Sequence, residues 1–122
     1  MCERRKVTKG EFSRFKKHFL FWQVKLGVPE YDVVFKQDAD DKYFAYIDAD
    51  SESCTATVSL CKTIKLGAGE WVKSTARHEA LHLLLTRLVD CAKARFVSAD
   101  EIDREYERVV RILEKVTEGL EG

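Results

Sequence analysis

His78 and His82, four residues apart with Glu79 directly after the first, are the side chains of this chain best suited to chemistry. In context they lie in Thr75-Ala76-Arg77-His78-Glu79-Ala80-Leu81-His82-Leu83-Leu84 and spell H-E-x-x-H. On a helix, residues i and i+4 stand one above the other, so both imidazoles can reach one zinc ion. A catalytic zinc site uses three protein ligands and keeps a fourth position for water, whose pKa the metal lowers towards about 7. Glu79 sits on the flank of the same helix, where it can take the proton of that water without ligating the metal. The spacing therefore predicts hydrolysis of a peptide carbonyl, with His78 and His82 as metal ligands and Glu79 as general base.

The bland reading is an H-E-A-L-H that arose by chance on a solvent-facing helix. Two features weigh against it. Thr75, Ala76, Ala80, Leu81, Leu83 and Leu84 are uncharged around the motif, with Arg77 the exception, as suits a helix beneath a cleft. The chain has only 3 histidines, and two of them fall at ligand spacing. The other, His18, is read as a surface residue of the first helix.

The elements that must position these residues follow from periodicity. Phe12, Phe15, Phe19, Trp22 and Leu26 recur at steps of three and four, which is one buried stripe of a helix over 11–26, stopped by Gly27 and Pro29. Three strand-like runs follow. Residues 31–36 and 43–47 are rich in β-branched and aromatic side chains and, with 37–41 as a turn between them, predict a hairpin. Cys54 to Cys61 alternates regularly, which predicts one buried face (Cys54, Ala56, Val58, Leu60) and one wet face (Thr55, Thr57, Ser59, Cys61). Residues 48–53 alternate acids but lack the glycine and the distant glutamate of an EF-hand, so they are read as a turn. After Gly67-Ala68-Gly69 the composition is helical from about Glu70 to Arg95, with Val72, Ala76, Leu83, Leu84, Leu88 and Cys91 available for burial. Ser98-Ala99-Asp100-Glu101 is a capping box that opens a last helix, striped by Ile102, Tyr106, Val109, Leu113 and Val116 up to Gly119. The expected class is α+β: an N-terminal helix, a small three-stranded sheet, the motif helix and a C-terminal helix.

Composition limits the alternatives. At 122 residues the chain is expected to form one domain (1–122), large enough for a core without disulfides. No apolar run approaches the roughly 18 residues of a membrane helix, and the basic start leads into an amphipathic pattern with no signal-peptide core. A cytoplasmic protein is expected. Cys2, Cys54, Cys61 and Cys91 form no C-x-x-C pair, which in a reducing compartment predicts thiols instead of bridges. Net charge is zero but segmental: residues 1–27 carry eight basic and two acidic side chains, and residues 28–53 carry two and eight. Zero net charge argues against nucleic acid as a partner, and such blocks are commonly solvated faces.

For the third ligand the last helix offers Asp103, Glu105, Glu107 and Glu114. Periodicity places Glu105 nearer the buried face and Glu107 further round. Either could instead pair along the helix with Arg108 or Arg111. Tyr43, Tyr46, Tyr106 and Arg77 are the candidates for stabilising an oxyanion, and the sequence assigns none of them. If strand 54–61 is an exposed edge, an extended peptide could add to it beside the metal.

The string T-A-R-H-E-A-L-H-L-L fits the extended zincin pattern, and the layout from Phe19-Leu20-Phe21-Trp22-Gln23-Val24-Lys25-Leu26-Gly27 to Val109-Val110-Arg111-Ile112-Leu113-Glu114 resembles small metallopeptidase-like proteins encoded by bacteriophages. The resemblance covers nearly the whole chain; its H-E-x-x-H core is specific and its flanks are looser. It implies a zincin-like fold in which the last strand before the motif helix rims the cleft. It also implies a gluzincin-like His, His, Glu site whose third ligand is Glu107, two residues before the paired aliphatics of the last helix. The function implied is a zinc metallopeptidase cutting proteins in the cytoplasm of an infected host cell, with a peptide or protein as substrate and Zn²⁺ as cofactor. Two other functions compete: a non-catalytic zinc-binding interaction module, and a DNA-associated protease similar to SprT-type proteins, contacting DNA through basic residues 4–17. SprT-type proteins generally carry a histidine as third ligand, and none follows His82. The long aromatic helix could also support a dimer.

Overall fold

The computed structural model describes residues 3–39, 43–94 and 96–118; Cys2, Asp40, Asp41, Arg95 and Gly119 lie outside them. The first helix, α1 (Lys9–Lys25), starts at a complete capping box, in which Glu11 N donates to Thr8 Oγ1 (3.0 Å) and Thr8 N donates to Glu11 Oε1 (2.9 Å). It ends where Gly27 takes φ 73°. That left-handed turn lets Gly27 N reach Val24 O and Val28 N reach Gln23 O, both at 3.0 Å, so the last carbonyls are satisfied. The predicted stripe is the packed face: Phe15 and Phe19 are fully buried, Leu26 nearly so, and Phe12 and Trp22 pack against the core from its margin.

Before α1 runs a strand that the periodicity did not suggest, β1 (Arg4–Lys6). The sheet strands are β2 (Asp32–Ala39), β3 (Ala45–Asp50) and β4 (Thr55–Cys61), and a short β5 (Thr63–Lys65) pairs antiparallel with β1. The main sheet has the order β2-β4-β3, with β2 parallel and β3 antiparallel to β4. The expected hairpin between 31–36 and 43–47 is therefore absent, because β4 lies between those two strands. The hairpin that does form joins β3 to β4 through residues 51–54, where Cys54 takes φ 53° and Asp50 Oδ1 accepts from Glu52 N at 3.0 Å. Residues 48–50 thus belong to β3, and the tight turn is shorter than the expected 48–53.

The reason for this order lies in side-chain character. β4 carries no charged residue, while β2 carries Asp32, Lys36 and Asp38 and β3 carries Asp48 and Asp50, which suits edges. As the central strand, β4 cannot receive an added peptide, and its expected wet face persists only at Thr55 and half-buried Thr57; Ser59 and Cys61 are buried. Phe35 of β2 meets Phe15 and Phe19 edge-on, with ring centroids 6.3 and 5.5 Å apart, which locks α1 onto one sheet face. Gln23, 5% exposed, closes the link from α1 to β2 by donating from Nε2 to Val28 O (3.0 Å) and Tyr31 O (2.9 Å).

The motif helix, α2 (Val72–Lys93), packs against α1 and β3. Val72, Ala76, Leu83 and Leu84 are buried as expected, whereas Leu88 and Cys91 are half-buried. The last helix, α3 (Ala99–Glu118), starts with Glu101 N donating to Ser98 Oγ at 3.2 Å. Its stripe is rotated from the expected one. Val109 is buried, Ile102, Ile112 and Val116 are half-buried, while Tyr106 and Leu113 are 59% and 37% exposed. The architecture is α+β, with two short β assemblies and three helices among the described residues.

Candidate functional site

The site is assembled where α2 passes the start of β3. Glu70 prepares the helix entry, its Oε1 accepting from Val72 N (3.1 Å) and Lys73 N (3.3 Å), since Trp71 at the cap offers no side-chain acceptor. Trp71 is itself pinned. Its Nε1 donates to Glu11 Oε2 at 3.1 Å, and its ring stacks on Phe44 with centroids 5.6 Å apart. Phe44 lines a cavity of about 430 Å³ with Tyr43, Ala45, Ser74, Thr75, His78 and Glu79. One chain of contacts thus runs from the cap of α1 through Trp71 to the wall of this cavity.

His78 and His82 lie on the exposed ridge of α2, and their Nε2 atoms face each other at 3.1 Å. A tetrahedral ion about 2.0–2.1 Å from each of two imidazole nitrogens would hold them about 3.3 Å apart, so the pair is close to a metal-binding bite. Without an ion, one ring can donate to the other, and the same approach is satisfied as a hydrogen bond. Glu79 stands about 100° round the helix from His78, on the flank towards the core, and is 4% exposed. Burial pushes its carboxyl up to about 7. Among the described residues its side chain has no hydrogen-bond partner, so nothing nearby compensates that desolvation.

The acids of α3 behave differently from one another. Glu107 is exposed, two residues and therefore about 200° round the helix from buried Val109, so it stands on the face turned away from the core. Arg111 Nε donates to its main-chain carbonyl at 3.4 Å. Glu105 is half-buried on the packed face and pairs with Arg108 Nε at 2.8 Å, and Arg108 also donates to Leu84 O of α2 at 3.4 Å. Among the described residues no third His, Cys, Asp or Glu joins the two histidines in a group that could hold a metal ion. The donor set thus fits zinc at two positions, and neither Glu107 nor Glu105 completes it as the side chains stand.

Of the four candidates for an oxyanion partner, Tyr43 alone lines the cavity with Glu79; Tyr46 and Tyr106 are exposed elsewhere, and Arg77 points to solvent. Phe44, Ser74 and Thr75 are cavity residues that motif reasoning passed over. Ser74 and Thr75 had a usable signal, lying four and three residues before His78 on the same side of the helix. Phe44 had none, because its place depends on where β3 docks. One helical turn on, Ile47 and Ala49 of β3 face His82, Leu85 and Val89 across a second cavity of about 460 Å³. Comparison of the chain with known protein families, with characterised proteins and with solved structures returns no match.

Proposed function

We propose that this chain is a zinc-dependent metallopeptidase of zincin-like design, acting on peptide or protein substrates. The observation that carries the reading is the convergence of His78 Nε2 and His82 Nε2 to 3.1 Å beside a cavity lined by buried Glu79. Bound zinc would supply a Lewis acid for the scissile carbonyl and a more acidic water. The chain's own part is to hold the two imidazoles on one ridge, and to keep Glu79 ready to accept a proton at its carboxylate. Tyr43 and Phe44 form the opposite wall, exclude water and bracket a substrate chain. The third ligand is assigned to α3. Of the two acids, half-buried Glu105 is preferred to outward-facing Glu107, and it would have to leave Arg108 and move to reach the histidines, since no acid joins them as the side chains stand.

The histidines' exposure favours a catalytic over a purely structural site, because structural zinc is enclosed by four protein ligands whereas catalytic zinc keeps an open position. The DNA-associated alternative draws less support: Arg5 and Arg14 of the basic segment pair with Glu11 and Glu70 at 2.7 and 3.6 Å. The test uses the full chain loaded with zinc and a labelled, unfolded protein such as casein. Hydrolysis is expected from the native chain and abolished in Glu79→Gln, with zinc content unchanged. A zinc-loaded chain that cuts nothing, or a Glu79→Gln variant as active as the native chain, rules the peptidase out.

A further inference from the structure

The groove beside Glu79 does not stop there. β3 has a strand neighbour on one side only, so its outer main-chain groups have no strand partner among the described residues. Between β3 and α2 the 430 Å³ cavity at Ala45 and Glu79 is followed by the 460 Å³ cavity at Ile47 and His82, and then by one of about 670 Å³. The last two share Asp48, Ala49, Asp90 and Lys93, so they form one trough. Its character changes along its length. The middle is apolar: Leu85 and Val89 are 37% and 43% exposed on a helix ridge that would carry charge if it only met water. The far end is lined by five acidic residues, Asp48, Asp50, Glu52, Asp90 and Glu101, against Arg87 and Lys93. Asp90 Oδ2 accepts from Ser51 N and Oγ at 3.2 and 2.6 Å and Asp50 Oδ1 from Glu52 N at 3.0 Å, which leaves each of these carboxylates a second oxygen and its charge, while Arg87 is paired with Glu30 at 3.9 Å.

An unpaired strand edge, an apolar floor and an anionic end match one occupant. We propose that the groove between β3 and α2 takes an extended peptide segment, apolar where it crosses Leu85 and Val89 and bearing lysine or arginine at the Asp48–Asp50 end. At about 3.3 Å per residue, the five steps from Ala45 to Asp50 place the basic residue about five positions from the one seated at Glu79. Main-chain bonds to β3 provide affinity, and the charge at the end provides direction and selectivity. Only this spacing rests on the peptidase reading, through Glu79 as the reacting position; the binding itself does not.

Binding is measured on the full, metal-free chain, so that cleavage cannot intervene. The probes are two dye-labelled, end-blocked peptides with one Val/Ser/Thr body, one ending in two lysines and the other in two glutamates, followed by fluorescence anisotropy at low salt. The lysine peptide is expected to bind at least about fivefold more tightly, with the margin shrinking as salt rises. The exposed double variant Asp48→Lys/Asp50→Lys should reverse the order, and Leu85→Asp/Val89→Asp should weaken both peptides with the helical circular dichroism retained. Equal binding of the two peptides, or a lysine preference that survives the charge reversal, overturns the proposal. Casein hydrolysis by a chain that shows no such preference sinks the groove reading alone, whereas charge-selective binding by a zinc-loaded chain that cuts nothing sinks the peptidase alone.

Discussion

Replacing Glu11 by glutamine tests the contact chain that supports the candidate site. The Glu11 carboxylate accepts from Arg5 Nη1 and Nη2 (2.7 and 2.9 Å), Thr8 N (2.9 Å) and Trp71 Nε1 (3.1 Å), and its side chain is 12% exposed. The hydrogen bonds from Arg5 are the largest influence holding its carboxyl down at about 2, with Thr8, Trp71 and the Arg5 charge adding to them and burial opposing. A fall from an ordinary 4.5 to about 2 corresponds to about 3 kcal/mol at most; because Arg5 is 42% exposed and screened by water, about 1–2 kcal/mol is the realistic share. The folded-state pKa is the lower one, so this stability is present above about pH 4.5 and is lost as pH falls towards 2. Urea unfolding followed by tryptophan fluorescence at pH 7, 5 and 3 should therefore show Glu11→Gln less stable by about 1–2 kcal/mol at pH 7. The gap should narrow at pH 3, where carboxylates common to both chains cancel in the difference. A variant equal to the native chain at pH 7, or a gap independent of pH, would refute the argument.

Gln23→Leu should cost about 2–4 kcal/mol in the same assay, since it leaves the buried carbonyls of Val28 and Tyr31 without their shared donor; a loss below about 0.5 kcal/mol would show that water replaces it. In calorimetric zinc titrations, His78→Ala and His82→Ala are each expected to weaken affinity at least about 100-fold, and an unchanged affinity in either would remove that residue from the site. Glu105→Ala should weaken zinc binding and Glu107→Ala should not; the opposite pattern would return the third position to Glu107.

Where local pattern governs local structure, the chain was legible. The α1 stripe, its Gly27 stop and the buried face of α2 follow from 3.6-residue periodicity, because one helix needs one apolar side whatever its neighbours are. Pairing was not legible. Strands 31–36 and 43–47 look like a hairpin, and nothing local says that a later, more apolar strand will take the centre between them. Nor did the stripe of α3 resolve its rotation, since Tyr106 and Val109 both continue an apolar series and only docking against α2 decided that Val109 goes inside.

For the candidate site the division is similar. The H-E-x-x-H spacing by itself determined that two imidazoles share a helical ridge with a carboxylate on its flank, because i, i+4 geometry is a property of any α-helix. Tertiary structure decided the rest: that Glu79 is sunk beside Tyr43 and Phe44, that β3 and not β4 presents the edge, and that neither Glu105 nor Glu107 joins the histidines as α3 packs. Those outcomes depend on which strand takes the centre of the sheet and on the angle at which α3 meets α2. Both are settled by competition among distant apolar surfaces, which no short stretch of sequence contains.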